Sequence, residues 1–232
     1  TYHSVLGHLL LRLRRFDHAA AAYHVAAGMY QLVSDMGRAA GAEAAIARAH
    51  MLAGRLRMAS ETYAAAIGSG ALARNVKVSV AANYATCLAW LGEWDRASDL
   101  LEEAERQASS MGLHGNESHI LTTQSLIALR LSDIDKATAL ANHALEIARA
   151  NSLVREELAA LECLGEVEYE RGNPAGALRY YEECIAKGEA VGMSDATTEG
   201  KRREAEAWNA LGEHAKALAA AQRCIEVAET NE

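Results

Sequence analysis

Apolar residues recur along this chain at spacings of three, four and seven, the pattern of helices that bury one face. Leu6, Leu9, Leu10 and Leu13 show it in the first predicted helix. A longer period overlies the helical one. Ala19, Ala59, Ala97, Ala137, Ala177 and Ala217 follow one another at 40, 38, 40, 40 and 40 residues. Seven residues after these markers stand Ala26, Ala66, Ala104, Ala144, Cys184 and Cys224; twelve before them stand Gly7, Ala47, Ala85, Ser125, Gly165 and Ala205. All are small, as required where two helix backbones approach closely. Five before the markers lie Arg14, Gly54, Gly92, Ser132, Gly172 and Gly212, a mostly glycine column suited to ending a helix in the left-handed conformation. Three before them lie Phe16, Leu56, Trp94, Ile134, Pro174 and His214, mostly bulky plugs, with Pro174 in the first helical position where proline is tolerated. Asp17, Asp95 and Asp135 follow, beside the positive end of a helix dipole.

The columns predict six units of helix A, tight turn and helix B. The A helices are expected at about 2–13, 38–53, 75–91, 117–131, 153–171 and 196–211, the B helices at about 16–35, 56–69, 94–110, 134–150, 174–191 and 214–229. Gly37, Gly112, Asn151 and Gly192 are expected to close B helices, and Gly68-Ser69-Gly70 to end the second one early. The fold class is therefore all-α: a right-handed α-solenoid of six antiparallel helix hairpins, one solenoid domain over 1–232. Its units are about 1–37, 38–73, 74–113, 114–152, 153–194 and 195–232. The chain begins without Met inside an amphipathic helix, so a piece of a larger protein is expected.

Composition agrees. Alanine dominates, and the β-branched and aromatic residues that favour strands are scarce. A net charge of −8 argues against a nucleic-acid footprint, which needs a concentrated basic face. No apolar stretch is long enough to span a bilayer, and a cytoplasmic location is expected. Four cysteines without a Cys-x-x-Cys pair suggest neither a zinc site nor a disulfide framework. His114 and His119 bracket a polar segment joining two units; in a helix they would diverge by about 140°, so no metal is expected. No cofactor is expected either.

The stretch Asn83-Tyr84-Ala85, followed by Leu91-Gly92-Glu93-Trp94-Asp95-Arg96-Ala97 through the turn, resembles the tetratricopeptide repeat family. That family's usual period is 34 residues. The longer period here resembles its long-repeat branch, found in maltose-activator-type regulators, response-regulator phosphatases of bacilli and kinesin light chains. The resemblance implies an inner wall of A helices on which a partner's peptide or helix lies. The family columns place Arg48, Asn83, Thr86, Trp90, Arg130, Glu162, Glu166, Tyr169, Glu170 and Arg202 on that wall. Asn83 falls where relatives hold a ligand's backbone amides. The positions of the family's chaperone-tail clamp hold Ala44, Ala82, Thr122 and Glu162, so that ligand is not expected.

Glu162, Glu166 and Glu170 share one helix face at spacings of four. They read either as an acidic groove for a partner's basic segment or as members of ion pairs between repeats, Arg130 with Glu170 and Arg202 with Glu162. Trp90 and Tyr169 read either as binding aromatics or as plugs between A helices. Trp94 and Trp208 read as core. The favoured function is a protein-interaction or sensor module of a larger signalling or transcription-regulating protein. The alternative is a small-molecule effector domain with a pocket near Trp90 and Arg130. No paired acid and base stands out, so an enzyme is not expected. The last helix exposes an apolar edge, which predicts self-association through the terminal helices.

Overall fold

The computed structural model describes residues 1–229, the side chains of 194, 195 and 227–229 excepted. Among the described residues there are twelve helices and no strand. The A helices are α1 (Tyr2–Arg12), α3 (Met36–Leu52), α5 (Arg74–Trp90), α7 (His114–Arg130), α9 (Val154–Glu170) and α11 (Ser194–Ala210). The B helices are α2 (Phe16–Leu32), α4 (Leu56–Gly68), α6 (Trp94–Ser110), α8 (Ile134–Ala150), α10 (Pro174–Val191) and α12 (His214–Glu229). The chain divides into two compact units, Thr1–Asn116 and Glu117–Glu232, each built of antiparallel hairpins.

The turn column behaves as its composition requires. Arg14, Gly54, Gly92, Ser132, Gly172 and Gly212 all adopt positive φ, between 55° and 84°. In each hairpin the next N–H then reaches back five residues to a helix carbonyl. Arg15 bonds Leu10, Arg55 His50, Glu93 Leu88, Asp133 Ala128, Asn173 Glu168 and Glu213 Trp208, at 2.9–3.0 Å. This bond satisfies a carbonyl that a helix end otherwise leaves orphaned. The same reversal closes the B helices, but not always where expected. Ser34 and Ser152, not Gly37 and Asn151, take the positive φ, alongside Gly112 and Gly192. Gly37 instead lies in the first turn of α3, after the side chain of Asp35 has capped that helix by accepting from the Arg38 N–H at 3.1 Å. The His114–His119 segment is likewise helical, opening α7, rather than a loop.

The small columns are the seams of the hairpins. In the first five hairpins the marker alanine and its two companion small residues are all buried; in the last, Ala205, Ala217 and Cys224 are half-buried. Their smallness has a visible partner. A Cβ added to Gly7 would stand 2.9 Å from the ring of Tyr23, and one added to Gly165 only 2.2 Å from Tyr181 Cε1. These tyrosines stand four residues after the marker and are buried, so glycine on the A helix makes room for a ring on the B helix. Ser125 does the same seam duty differently, donating its hydroxyl to the Ala137 carbonyl at 2.7 Å.

Candidate partner-binding faces

In the unit Thr1–Asn116 the predicted residues lie on α3 and α5. Arg48 is exposed on α3. Its charge reaches the buried phenols of Tyr23 and Tyr63, partly offsetting the upward pKa shift that burial imposes on both. The Tyr63 hydroxyl is buried without a hydrogen-bond partner. On α5, Asn83 is half-buried and donates from its side-chain amide to the Ser79 carbonyl at 2.9 Å, one turn back on its own helix. Thr86 does likewise to Ala82 at 3.0 Å. Trp90, the last residue of α5, is 54% exposed.

In the unit from Glu117 onward, one member of the acidic stripe, Glu166, is ion-paired, and with a partner other than the expected ones. Glu166 on α9 is ion-paired with Arg203 on α11, and the same arginine bonds Glu199 at 3.1 Å. Arg202 turns to Glu199 and Glu206 of its own helix, not to Glu162. One residue of register decides this. Arg203 shares a column with Cys163 and Thr123, both buried, and is itself half-buried, whereas Arg202 is rotated about 100° outward and exposed. Burial raises the Glu166 carboxyl pKa, and the arginines pull it back. At Glu162 the Arg203 charge offsets less than burial and the neighbouring carboxylates add. Burial, then the charges of Glu199 and Glu166, push it up to about 8. Its Oε1 accepts a long hydrogen bond from the Cys184 thiol at 3.9 Å. Arg130, Tyr169 and Glu170 are exposed.

Several polar groups outside the predicted set are also built in. Glu157 is buried and held between Arg149, at 3.1 Å, and Lys187. Glu204, nearly buried, accepts two bonds from Arg223, both at 3.0 Å, and one from the Trp208 indole at 3.3 Å. Trp208 packs on the core through its ring, as expected of it, with the Lys216 ammonium 4.4 Å above. A cavity of about 270 Å³ opens beside these groups, lined by Ile185, Glu189, Lys201, Glu204 and Arg223 among others. Its buried Lys201 is already paired with Glu189 at 2.7 Å. None of these pairs repeats from hairpin to hairpin, so the columns of the sequence carry no trace of them. Cys87, Cys163 and Cys184 are buried thiols, and Cys224 is a half-buried one. Among the described residues no three His, Cys, Asp or Glu side chains form a group that could hold a metal, and no helix is long and apolar enough to cross a membrane.

Stacked helix hairpins with small-residue seams define a tetratricopeptide-type helical solenoid. Residues 77–150 match the family model of the tetratricopeptide repeat. Solved structures share the fold. BtubC (BKLC) from P. vanneervenii superposes with a TM-score of 0.70 at 15% identity, over 93% of this chain and 91% of that one. A Rap protein complexed with Competence and Sporulation Factor gives 0.80 at 14% identity, over 99% of this chain and 63% of its own. The apo quorum sensor NprR from B. thuringiensis gives 0.73 at 13% identity, over 90% of this chain and 60% of its own. The chain thus spans less than two thirds of the Rap and NprR chains. A comparison with curated proteins found no match.

Proposed function

We propose that this chain is a protein-interaction module that holds a peptide or helix of a partner on the exposed faces of its A helices, as the regulatory part of a larger protein. The observation that carries the reading is Trp90, an indole left more than half in solvent at the end of α5, the helix that also carries Asn83 and Thr86. Burying such a ring is what makes tryptophan a recurrent anchor of protein interfaces. Near the end of α9, Tyr169 is a second aromatic partly in solvent, next to Glu170, which occupies the Trp90 column. The Rap protein seen with a bound factor and the quorum sensor NprR show that folds of this kind serve recognition, and they support the same use here. The acidic stripe contributes less to the partner's chemistry than its spacing suggests, because Arg203 already answers Glu166.

The test is a display selection of peptides against the chain, followed by titration of the selected peptides with Trp90→Ala, Tyr169→Ala and Glu170→Lys variants. Trp90→Ala is expected to weaken binding by about tenfold or more, with helix content unchanged. Selected peptides that bind all three variants as tightly as the parent would refute the assignment of the face.

A further inference from the structure

The turns between A and B helices follow one plan, and two of them depart from it in charge. The columns five and two residues before the marker alanine are exposed in all six hairpins, so solvent at this edge is a property of the repeat. The position just before each B helix, four before the marker, holds Glu93, Asp133, Asn173 and Glu213 in the last four hairpins, and Asp95 and Asp135 follow two residues on. Such groups are what the positive end of a helix dipole favours. The first two hairpins reverse the charge. Arg15 and Arg55 take the capping position without a side-chain cap, Arg14 takes the left-handed turn at φ 55°, and Arg57 stands where Asp95 does. Folding gains nothing from these four guanidiniums, and the dipole opposes them.

The two turns form one surface. Arg55 reaches across to Asp17, Nη2 to Oδ1 at 2.6 Å, and Arg15 donates to His18 Nε2 at 3.3 Å. Asp17 is the one carboxylate of residues 13–18 and 53–58, so cations stay in excess. The same turns carry two large apolar side chains in solvent, Leu13, 67% exposed, and Met58, 49% exposed. Packed helices lie about 8–10 Å apart, so two successive turns with their side chains give an edge about 20 Å long, the reach of about six extended residues. The next turn of this unit carries Glu93 and Asp95, with Arg96 held by Glu93. A long polyanion such as a DNA duplex, or an anionic membrane, would run past the basic edge onto those carboxylates. A short acidic segment would not, and Leu13 and Met58 ask for an apolar residue within it.

We propose that the edge made by the first two turns binds a short acidic segment of a partner protein, its carboxylates on the arginines and a large apolar side chain on Leu13 and Met58. Guanidinium forks suit this ligand because they hold a carboxylate by two parallel hydrogen bonds. The surface is separate from the A-helix face that carries Trp90.

Fluorescence anisotropy with a labelled eight-residue peptide of six glutamates and two leucines tests this. The parent is expected to bind it at 50 mM sodium chloride, not to bind its lysine-for-glutamate counterpart, and to lose about tenfold in affinity by 200 mM as screening grows. An Arg15→Glu, Arg57→Glu double variant, whose charges suit the helix dipoles, should fold as the parent by circular dichroism and bind about tenfold more weakly or worse. Trp90→Ala should bind the peptide as the parent does, which separates this edge from the face proposed above. No binding by the parent, an affinity indifferent to salt, equal binding by the double variant, or an equal loss in Trp90→Ala would each overturn the proposal. So would tighter binding of a 20-base-pair DNA duplex or of phosphatidylserine vesicles than of the peptide.

Discussion

Glu162 carries the sharpest chemical consequence of any single side chain. A carboxyl held near pKa 8 in the fold and near the ordinary 4.5 when unfolded keeps a proton that the unfolded chain gives up. Between those values the folded state binds more protons, so stability falls as pH rises. The loss begins above about pH 4.5 and is complete past pH 8. Replacing Glu162 by Gln removes the titration while keeping the shape. The variant should match the parent near pH 5 and exceed it at pH 8 by on the order of 1 kcal/mol, since water still reaches part of the carboxyl. That is a gain of about 2–4 °C in Tm. Thermal melts at pH 5, 6.5 and 8 check this, and an equal Tm difference at all three would refute it. The columns located Glu162 on α9 but could not show its state. That depends on Arg203 choosing Glu166 and on Arg202 facing outward, a difference of one residue on α11.

Helices and turns were far more legible. The small columns and the left-handed turn column repeat six times, so each copy corrects the next. All twelve helices lie within about three residues of their expected bounds. The errors fall where one residue type stood for a conformation: Gly37 and Asn151 were natural choices for positive φ, yet Ser34 and Ser152 adopt it. The seam between Gly165 and Tyr181 gives a prediction at this scale. Gly165→Ala forces a methyl into a buried ring and should cost about 1–3 kcal/mol. The third hairpin carries Ala85 and Leu101 in these two columns, both buried. In a Tyr181→Leu background the added methyl should therefore cost at least about 1 kcal/mol less than it does alone. Urea unfolding of the four members of the cycle measures the coupling, and simple additivity would show that ring and glycine are not matched.

Every reversal of direction along the chain is closed by its own local bond, at A-to-B and B-to-A junctions alike. A hairpin therefore owes its neighbours a seam but no particular loop. Duplicating or deleting a stretch of about 40 residues returns each seam to register, whereas inserting a single residue within a helix swings everything beyond it by about 100° and carries the seam into water. Length in this architecture is free to change by whole hairpins over evolutionary time, and an engineer can vary it in the same steps.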